Sequence, residues 1–431
     1  MIDIFKSSDK DFRNRIKVIT SRGEADTSKV EEVVKGIIAD VRKDGDKALF
    51  SYTKKFDRLS ITKKTVKVSD AEFKDARQKV SRDVIESLRL AAKRIESFHR
   101  KQLEESWFFH EDDGVTLGQM VRPLERAGAY VPGGKAVYPS SVLMNVIPAR
   151  VAGVKEVIVC SPTPDGEINP YVLVAAEIAG ADAVYKVGGA QAVAAMAYGT
   201  ESIPRVDKIV GPGNIYVATA KRLVFGVVDI DMIAGPSEIL VVADESANPS
   251  FIAADLLSQA EHDEMASSIL VTTSKKVADE TVKELKKQLK KLSRKDIAEK
   301  SLKDYGAIIL AKDLGEAADI VNDIAPEHLE LSVDRPFELL PEIKNAGAIF
   351  LGHYTPEAVG DYVAGPNHTL PTGGTARFFS PLSATDFLKI SSILYYSEAA
   401  VKKIGRDAIR IAEAEGLTAH ANSVLVRLKK N

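Results

Sequence analysis

Apolar positions follow two different periods along the chain. Val30, Val33, Val34, Ile37 and Ile38 recur at helical spacing behind Ser28, which can cap the helix. A second helical stretch over 70–105 sets Val84, Ile85, Leu88, Leu90, Ala91 and Ile95 among abundant Lys, Arg and Glu. From Gly128 onward short apolar runs alternate with Ala-rich helices, the mark of β-α units around a parallel sheet. The pattern predicts strands at 154–160, 184–187 and 209–210, with helices over 171–178 and 191–196 between them and another through Ala218 and Ala220. After Gly235-Pro236-Ser237 a second series follows, with strands at 239–242, 268–272, 307–310 and 347–351. Two series predict two α/β domains. Beyond Ser380, Ala399, Ile404, Ala408, Ile411 and Ala412 return to helical spacing.

Composition narrows the picture. A chain of 431 residues exceeds one ordinary core, and 45% hydrophobic with 28% charged residues is the balance of a globular protein. Cys160 is the single cysteine, so no disulfide forms within the chain. With no apolar segment near Met1 and no run of about 20 apolar residues, a reducing cytoplasm is expected, with no membrane partner. Net charge of -2 gives no broad electrostatic case for nucleic acid, and Lys286, Lys287, Lys290 and Lys291 read as a solvated helix face.

Candidate chemistry falls at three kinds of place. Gly188-Gly189-Ala190-Gln191 and Gly211-Pro212-Gly213-Asn214 lie at strand-to-helix turns, where backbone N–H groups suit a phosphate; both are equally readable as tight turns. Tyr130-Val131-Pro132-Gly133-Gly134 adds an aromatic that can stack on a base or pack in a core. Gln259 and His262 are three apart in a helical pattern over 255–262 and can leave one face of it. With Asp361 and His420 they would make a set of two imidazoles, a carboxylate and a carboxamide, suited to zinc in an open site; a surface helix carrying a histidine explains the spacing as well. Glu327-His328 after Pro326 reads as a helix start, where a carboxylate and an imidazole could share a pocket. Cys160 ends a predicted strand and is either a nucleophile or a small buried apolar residue.

These motifs resemble the histidinol dehydrogenase family: Tyr130–Gly134, Val187-Gly-Gly-Ala-Gln-Ala192, Gly211–Asn214, Ala234-Gly-Pro-Ser-Glu238, Leu257-Ser-Gln-Ala-Glu-His262, Ala325-Pro-Glu-His-Leu-Glu330, Val359-Gly-Asp-Tyr362, Gly365-Pro-Asn-His-Thr-Leu-Pro371 and Leu417-Thr-Ala-His420. The resemblance runs from Arg126 to His420, and the first hundred residues carry little of it. It implies an α/β fold of two Rossmann-like domains lacking the G-x-G-x-x-G fingerprint, with small N-terminal and C-terminal helical appendages. The expected division is an arm at 1–25, a discontinuous α/β domain of 26–129 with 238–380, a second at 130–237, and a helical tail at 381–431.

The resemblance further implies oxidation of L-histidinol through L-histidinaldehyde to L-histidine with two NAD per turnover and one zinc per subunit. It makes Gln259, His262, Asp361 and His420 the zinc ligands. Tyr130, Gln191 and Asn214 become NAD contacts. Ser237, Gln259, His262, His328, Asp361, Glu415 and His420 become substrate contacts. His328 becomes the general base, and Glu327 activates water. Zinc orients the substrate, and a homodimer shares its sites, with Glu415 and His420 reaching the partner. The residues after His262, Asp263-Glu264-Met265-Ala266, depart locally from the pattern. Two other readings stand beside it: an NAD-linked dehydrogenase using Cys160, and a non-catalytic relative that binds metal and nucleotide.

Overall fold

The computed structural model describes residues 2–22, 28–112, 114–133 and 138–429. Gly134 and the end of the expected N-terminal arm lie outside them. The strands in chain order are β1 (Ile4–Lys6), β2 (Trp107–Glu111), β3 (Val115–Pro123), β4 (Arg126–Tyr130), β5 (Glu156–Cys160), β6 (Ala183–Tyr185), β7 (Lys208–Val210), β8 (Asp229–Ile230), β9 (Glu238–Ala243), β10 (Ser267–Thr272), β11 (Ala307–Leu310), β12 (His328–Ser332), β13 (Ala348–Leu351) and β14 (Leu388–Tyr396). The chain divides into two compact units, Met1–Gln102 with Leu124–Phe387, and Leu103–Pro123 with Leu388–Asn431.

The first unit holds two parallel sheets, ordered β1-β11-β10-β9-β12-β13 and β6-β5-β4-β7-β8. In each, the strand that opens the series (β9, β4) lies inside the sheet; the next two strands extend one side and the last two the other. Such an order places a topological switch between β9 and β12, and another between β4 and β7. Strands β9 and β10 are buried along their whole length, as parallel strands covered on both faces must be. Ile239 and Val241 enter the core against the helix Pro249–Ala260, while Leu240 and Val242 enter the opposite core against Leu314–Ile324. Helix starts carry their own signals. Asn169 and Asn248 cap helices that have Pro in the first turn, and Ser274 and Asp313 cap two more.

Several boundaries differ from the sequence reading. The stretch over 70–105 is two helices, Asp70–Lys79 and Arg82–His99, broken at Val80-Ser81. Arg126–Ala129, assigned above to the domain containing 238–380, pair with β5 and β7 in the five-stranded sheet; the small residues Ala127 and Ala129 are fully buried there. The strand begins ahead of the Tyr130–Gly134 glycine motif. At the other end of the unit the N-terminal segment is not only helical, because β1 adds an edge strand to β11.

The second unit is a three-stranded antiparallel sheet, β14-β3-β2, with the helices Glu398–Ala414 and Thr418–Leu428. The tail after Ser380 therefore contains a nine-residue strand before its helices. Within this unit Trp107, Phe108, Leu394, Tyr395 and Ile411 are exposed.

Candidate active site

Glu327 and His328 do not start a helix. His328 opens β12, paired between β9 and β13, with His328 opposite Ile239 and Ala348. Leu329 and Leu331 alternate with His328, Glu330 and Ser332, a period of two that fixes a strand. The helix Leu314–Ile324 ends at Ala325, which sits in the left-handed region at φ 52° directly before Pro326. That conformation costs a non-glycine residue about 1 kcal/mol or more, and here it turns the chain sharply from helix into β12. Nor are Gln259 and His262 on one helix face: the helix ends at Ala260, and His262 lies in the turn beyond its cap, Glu261. Ser237, Glu238, Glu327, His328, Gln259 and His262 thus collect at the amino edge of the six-stranded sheet. That is the edge opposite to where open α/β sheets ordinarily bind ligands.

Hydrogen bonds fix the acid–base groups. His328 Nδ1 lies 3.1 Å from the Glu238 carbonyl, to which it donates, so the other ring nitrogen carries the lone pair when the ring is neutral. His328 Nε2 is buried, 3.4 Å from Asp361 Oδ1, and has no hydrogen-bond partner. Glu327 Oε2 accepts from Glu238 N at 2.8 Å and stands 3.8 Å from His328 Nδ1. The Glu238 carboxylate is itself paired with the buried Arg22 at 2.7 Å, so the N-terminal segment neutralises a charge beside Glu327. Burial pushes the Glu327 carboxyl up to about 8. Burial pulls the His328 imidazole down, but Glu357, Glu327 and Asp361 together hold it well above its ordinary value. Burial also acts against ionisation of Asp361, and the His328 ring beside it outweighs that and lowers its pKa. Burial depresses His262, against the pull of Asp361.

Glu357 was not singled out from sequence. Its carboxylate, that of Asp361 and the His328 ring offer one ligand atom each within 4.8 Å of one another. Glu357 is 2% exposed, and burial raises it to about 8. Without a cation the Gln259 amide is satisfied with its nitrogen turned to Glu357, donating at 2.6 and 3.1 Å, and its oxygen accepting from Glu238 N at 2.9 Å; the opposite orientation, oxygen toward Glu357, is the one a metal ligand needs. The available signal was spacing, two carboxylates four apart after Pro356, although the segment winds as a short helix running into a π turn. His368 was likewise unassigned: Nδ1 is 3.0 Å from the Asp361 carbonyl and Nε2 is 3.1 Å from Ser141 Oγ.

This donor set fits a divalent cation. Two carboxylates around one imidazole trap a proton between them, and a cation removes the same charge imbalance while giving the partnerless Nε2 region a polar occupant. His328, Glu357 and Asp361 supply nitrogen and oxygen donors without a thiolate, the mixture zinc accepts in functional sites, and His262 is near enough for the Asp361 charge to act on it but is not in that cluster. Glu415 and His420 belong to the second unit, where both are exposed, Glu415 capping one helix and His420 in the first turn of the next.

The other three candidates meet at the carboxyl edge of the five-stranded sheet. Tyr130 ends β4, Gln191 lies in the first turn of the helix Gly189–Tyr198, and Asn214 caps Ile215–Val224 through its side chain. The Tyr130 hydroxyl accepts from Gly189 N at 3.1 Å. Gln191 is 1% exposed, yet its carbonyl oxygen has no partner. Gly211 has φ 106°, and a Cβ there would stand 2.1 Å from the Tyr130 carbonyl, so only glycine lets β4 and this turn close up. Close backbone approach, two helix N-termini and an unpartnered buried amide fit the phosphates and amide of a dinucleotide.

Cys160 ends β5 at that same edge, packed into the core cluster that also holds Tyr130. It is fully buried in the core with Ile158, Val187 and Ala192, and burial pushes its thiol far up. A thiolate nucleophile is disfavoured in such a place. Cys160→Ala is expected to keep steady-state turnover within about twofold, because it removes only buried apolar volume; a collapse of kcat with an unchanged Tm would reinstate the thiol.

A parallel α/β scaffold with a buried carboxylate–imidazole cluster and a separate dinucleotide-type edge is the architecture of an oxidoreductase. Residues 20–428 match the family model described as histidinol dehydrogenase. The histidinol dehydrogenase of Geobacter sulfurreducens is 60% identical over 422 residues, covering 98% of each chain, and that of Aquifex aeolicus is 56% identical over 426 residues, covering 99% of each. The crystal structure of histidinol dehydrogenase from Elizabethkingia anophelis superposes with a TM-score of 0.93 at 39% identity, covering 99% of this chain and 98% of that one. The chain belongs to the histidinol dehydrogenase family, whose members are oxidoreductases of histidine biosynthesis. Among the described residues no helix is long and apolar enough to cross a membrane.

Proposed function

We propose that this protein oxidises L-histidinol through L-histidinaldehyde to L-histidine, using two NAD per turnover and one zinc per subunit. The observation that carries the reading is the buried, partnerless His328 Nε2 facing Asp361 and Glu357, with Glu327 alongside. Gln259, His262, Asp361 and His420 would hold zinc; Ser237, His328 and Glu415, with these same ligands, would contact the substrate; Tyr130, Gln191 and Asn214 would contact NAD. When bound, NAD accepts the hydride of each oxidation and zinc orients the imidazole and amino groups of the substrate.

The chain's own residues handle protons. His328 Nε2 accepts the hydroxyl proton in the first oxidation and a proton of the hydrated aldehyde in the second, while Nδ1 stays anchored on the Glu238 carbonyl. Glu327, anchored through Oε2 on Glu238 N, takes a proton from the water that adds to the aldehyde. Burial of both groups keeps bulk water from the aldehyde between the two steps. The exposed apolar side chains of the second unit support a homodimer in which Glu415 and His420 serve the partner's site.

The test is NADH formation at 340 nm from L-histidinol and NAD, with and without a chelator. Two NADH per histidinol, lost on chelation and restored by Zn²⁺, is the expected result. No NADH from metal-replete protein would refute the reading and leave a binding protein on the same fold.

A further inference from the structure

One buried ion pair in the first unit is used by nothing described so far. Lys221, in the helix Ile215–Val224, pairs with Asp231; their side chains are 2% and 1% exposed. The pair does not stabilise the core by burial, since two desolvated charges roughly cancel their attraction against the loss of hydration. Its other contacts converge on one residue. Lys221 Nζ donates to the Gly211 carbonyl at 2.8 Å, and Gly211 N donates to Asp231 Oδ2 at 2.7 Å. Asp231 Oδ1 also accepts from Met232 N at 2.6 Å, which anchors the acid end to the chain after β8. Both polar groups of the Gly211 peptide backbone are thus gripped by opposite charges, closing a ring of three residues.

Gly211 is the residue where such a grip has leverage. It lies against the Tyr130 carbonyl in a left-handed conformation, and the turn it begins ends at Asn214, whose side chain accepts from Tyr216 N at 3.0 Å and Val217 N at 3.2 Å. Glycine lacks a side chain to define its orientation, so a free Gly211-Pro212-Gly213 turn would sample several conformations and a ligand would have to order it. We infer that Lys221 and Asp231 are positioning residues that hold the Gly211–Asn214 turn in its dinucleotide-binding conformation before the cofactor arrives. Neither touches the cofactor; they act through the Gly211 backbone. The inference rests on the assignment of NAD to this edge of the five-stranded sheet.

The test compares cofactor binding with substrate binding in the zinc-loaded, full-length protein. NADH affinity is read by fluorescence, histidinol affinity by calorimetry without NAD, and folding by Tm. The double variant Lys221→Met with Asp231→Asn removes both charges, keeps an acceptor for Gly211 N and loses the donor to its carbonyl. Its Kd for NADH should rise tenfold or more and its KM for NAD likewise, with histidinol affinity changed less than twofold. Lys221→Arg should recover most of the loss. A folded double variant with unchanged NADH affinity overturns the inference. Asn214→Asp tests the underlying assignment separately: it still caps the helix but sets a negative charge at the turn, so unchanged NADH binding there would move the cofactor elsewhere. In the wild type, hydrogen exchange of residues 209–214 should be slow without NADH and unchanged by it. Fast exchange that NADH suppresses would show a turn ordered by the ligand and refute preorganisation even if the double variant fails to fold.

Discussion

Glu327→Gln is expected to stop the aldehyde half of the reaction while leaving the alcohol half measurable. The amide keeps the size of the side chain, and its carbonyl oxygen can still accept from Glu238 N, so the local backbone is preserved. What it loses is the ability to take a proton from water. Removal of a positioned general base costs roughly 10²–10⁴-fold in rate, and that loss should fall on NADH formation from supplied histidinaldehyde. With histidinol as substrate the stoichiometry should drop from two NADH toward one. The pH profile gives an independent check. Because burial raises the Glu327 carboxyl to about 8, its ionised, proton-accepting form grows as pH rises through that value. Aldehyde oxidation by the wild type should therefore climb as pH rises through about 8, and the variant should lose the part of the climb that belongs to Glu327. An unchanged four-electron reaction in Glu327→Gln would remove Glu327 from the mechanism.

His328→Asn should be more severe, because both oxidations lose their base. The Asn amide nitrogen can replace Nδ1 as donor to the Glu238 carbonyl, and only the far side of the ring, with Nε2, is missing. Both half-reactions should fall by roughly 10³-fold or more, the upper range for an acid–base group. NADH binding through Tyr130, Gln191 and Asn214, which do not depend on the His328 ring, should persist. If the aldehyde half survives at near-normal rate while the alcohol half is lost, the base of the second step is another group, with Glu357 the first to test. Zinc content must be measured in the same samples, since His328, Glu357 and Asp361 lie together.

Much of the fold was legible where hydrophobic runs were long. Strands β9, β10 and β11 emerged within a residue of their bounds because parallel strands covered on both faces are almost continuously apolar. β12 was missed because its polar members, His328, Glu330 and Ser332, are buried site residues rather than solvent-facing ones, so an alternating strand read as a helix start. The β14-β3-β2 sheet escaped for a different reason: its partners are residues 107–123 and 388–396, far apart in sequence, and their exposed aromatic and polar side chains give no continuous run. Glu327, His328, Gln259, His262 and Asp361 were reachable through motif resemblance. Glu357, His368 and Arg22 act through tertiary neighbours, and no local spacing announces a partner more than 200 residues away, as for Arg22 and Glu238.

The position of His328 and Glu327 at the amino edge of the six-stranded sheet has a corollary for how the chain can change. The opposite edge is closed by a small hydrogen-bonded knot in which Ser332 and Ser246 flank His353 and Asp244 holds the amide of Asp334. No acid–base residue of the cluster lies there. The turn at 244–247, ahead of the Asn248 cap, is therefore free to lengthen, accept a label or be joined to another chain at the expense of that knot, whereas 352–356 leads straight into Glu357 and is held by the chemistry of the other rim.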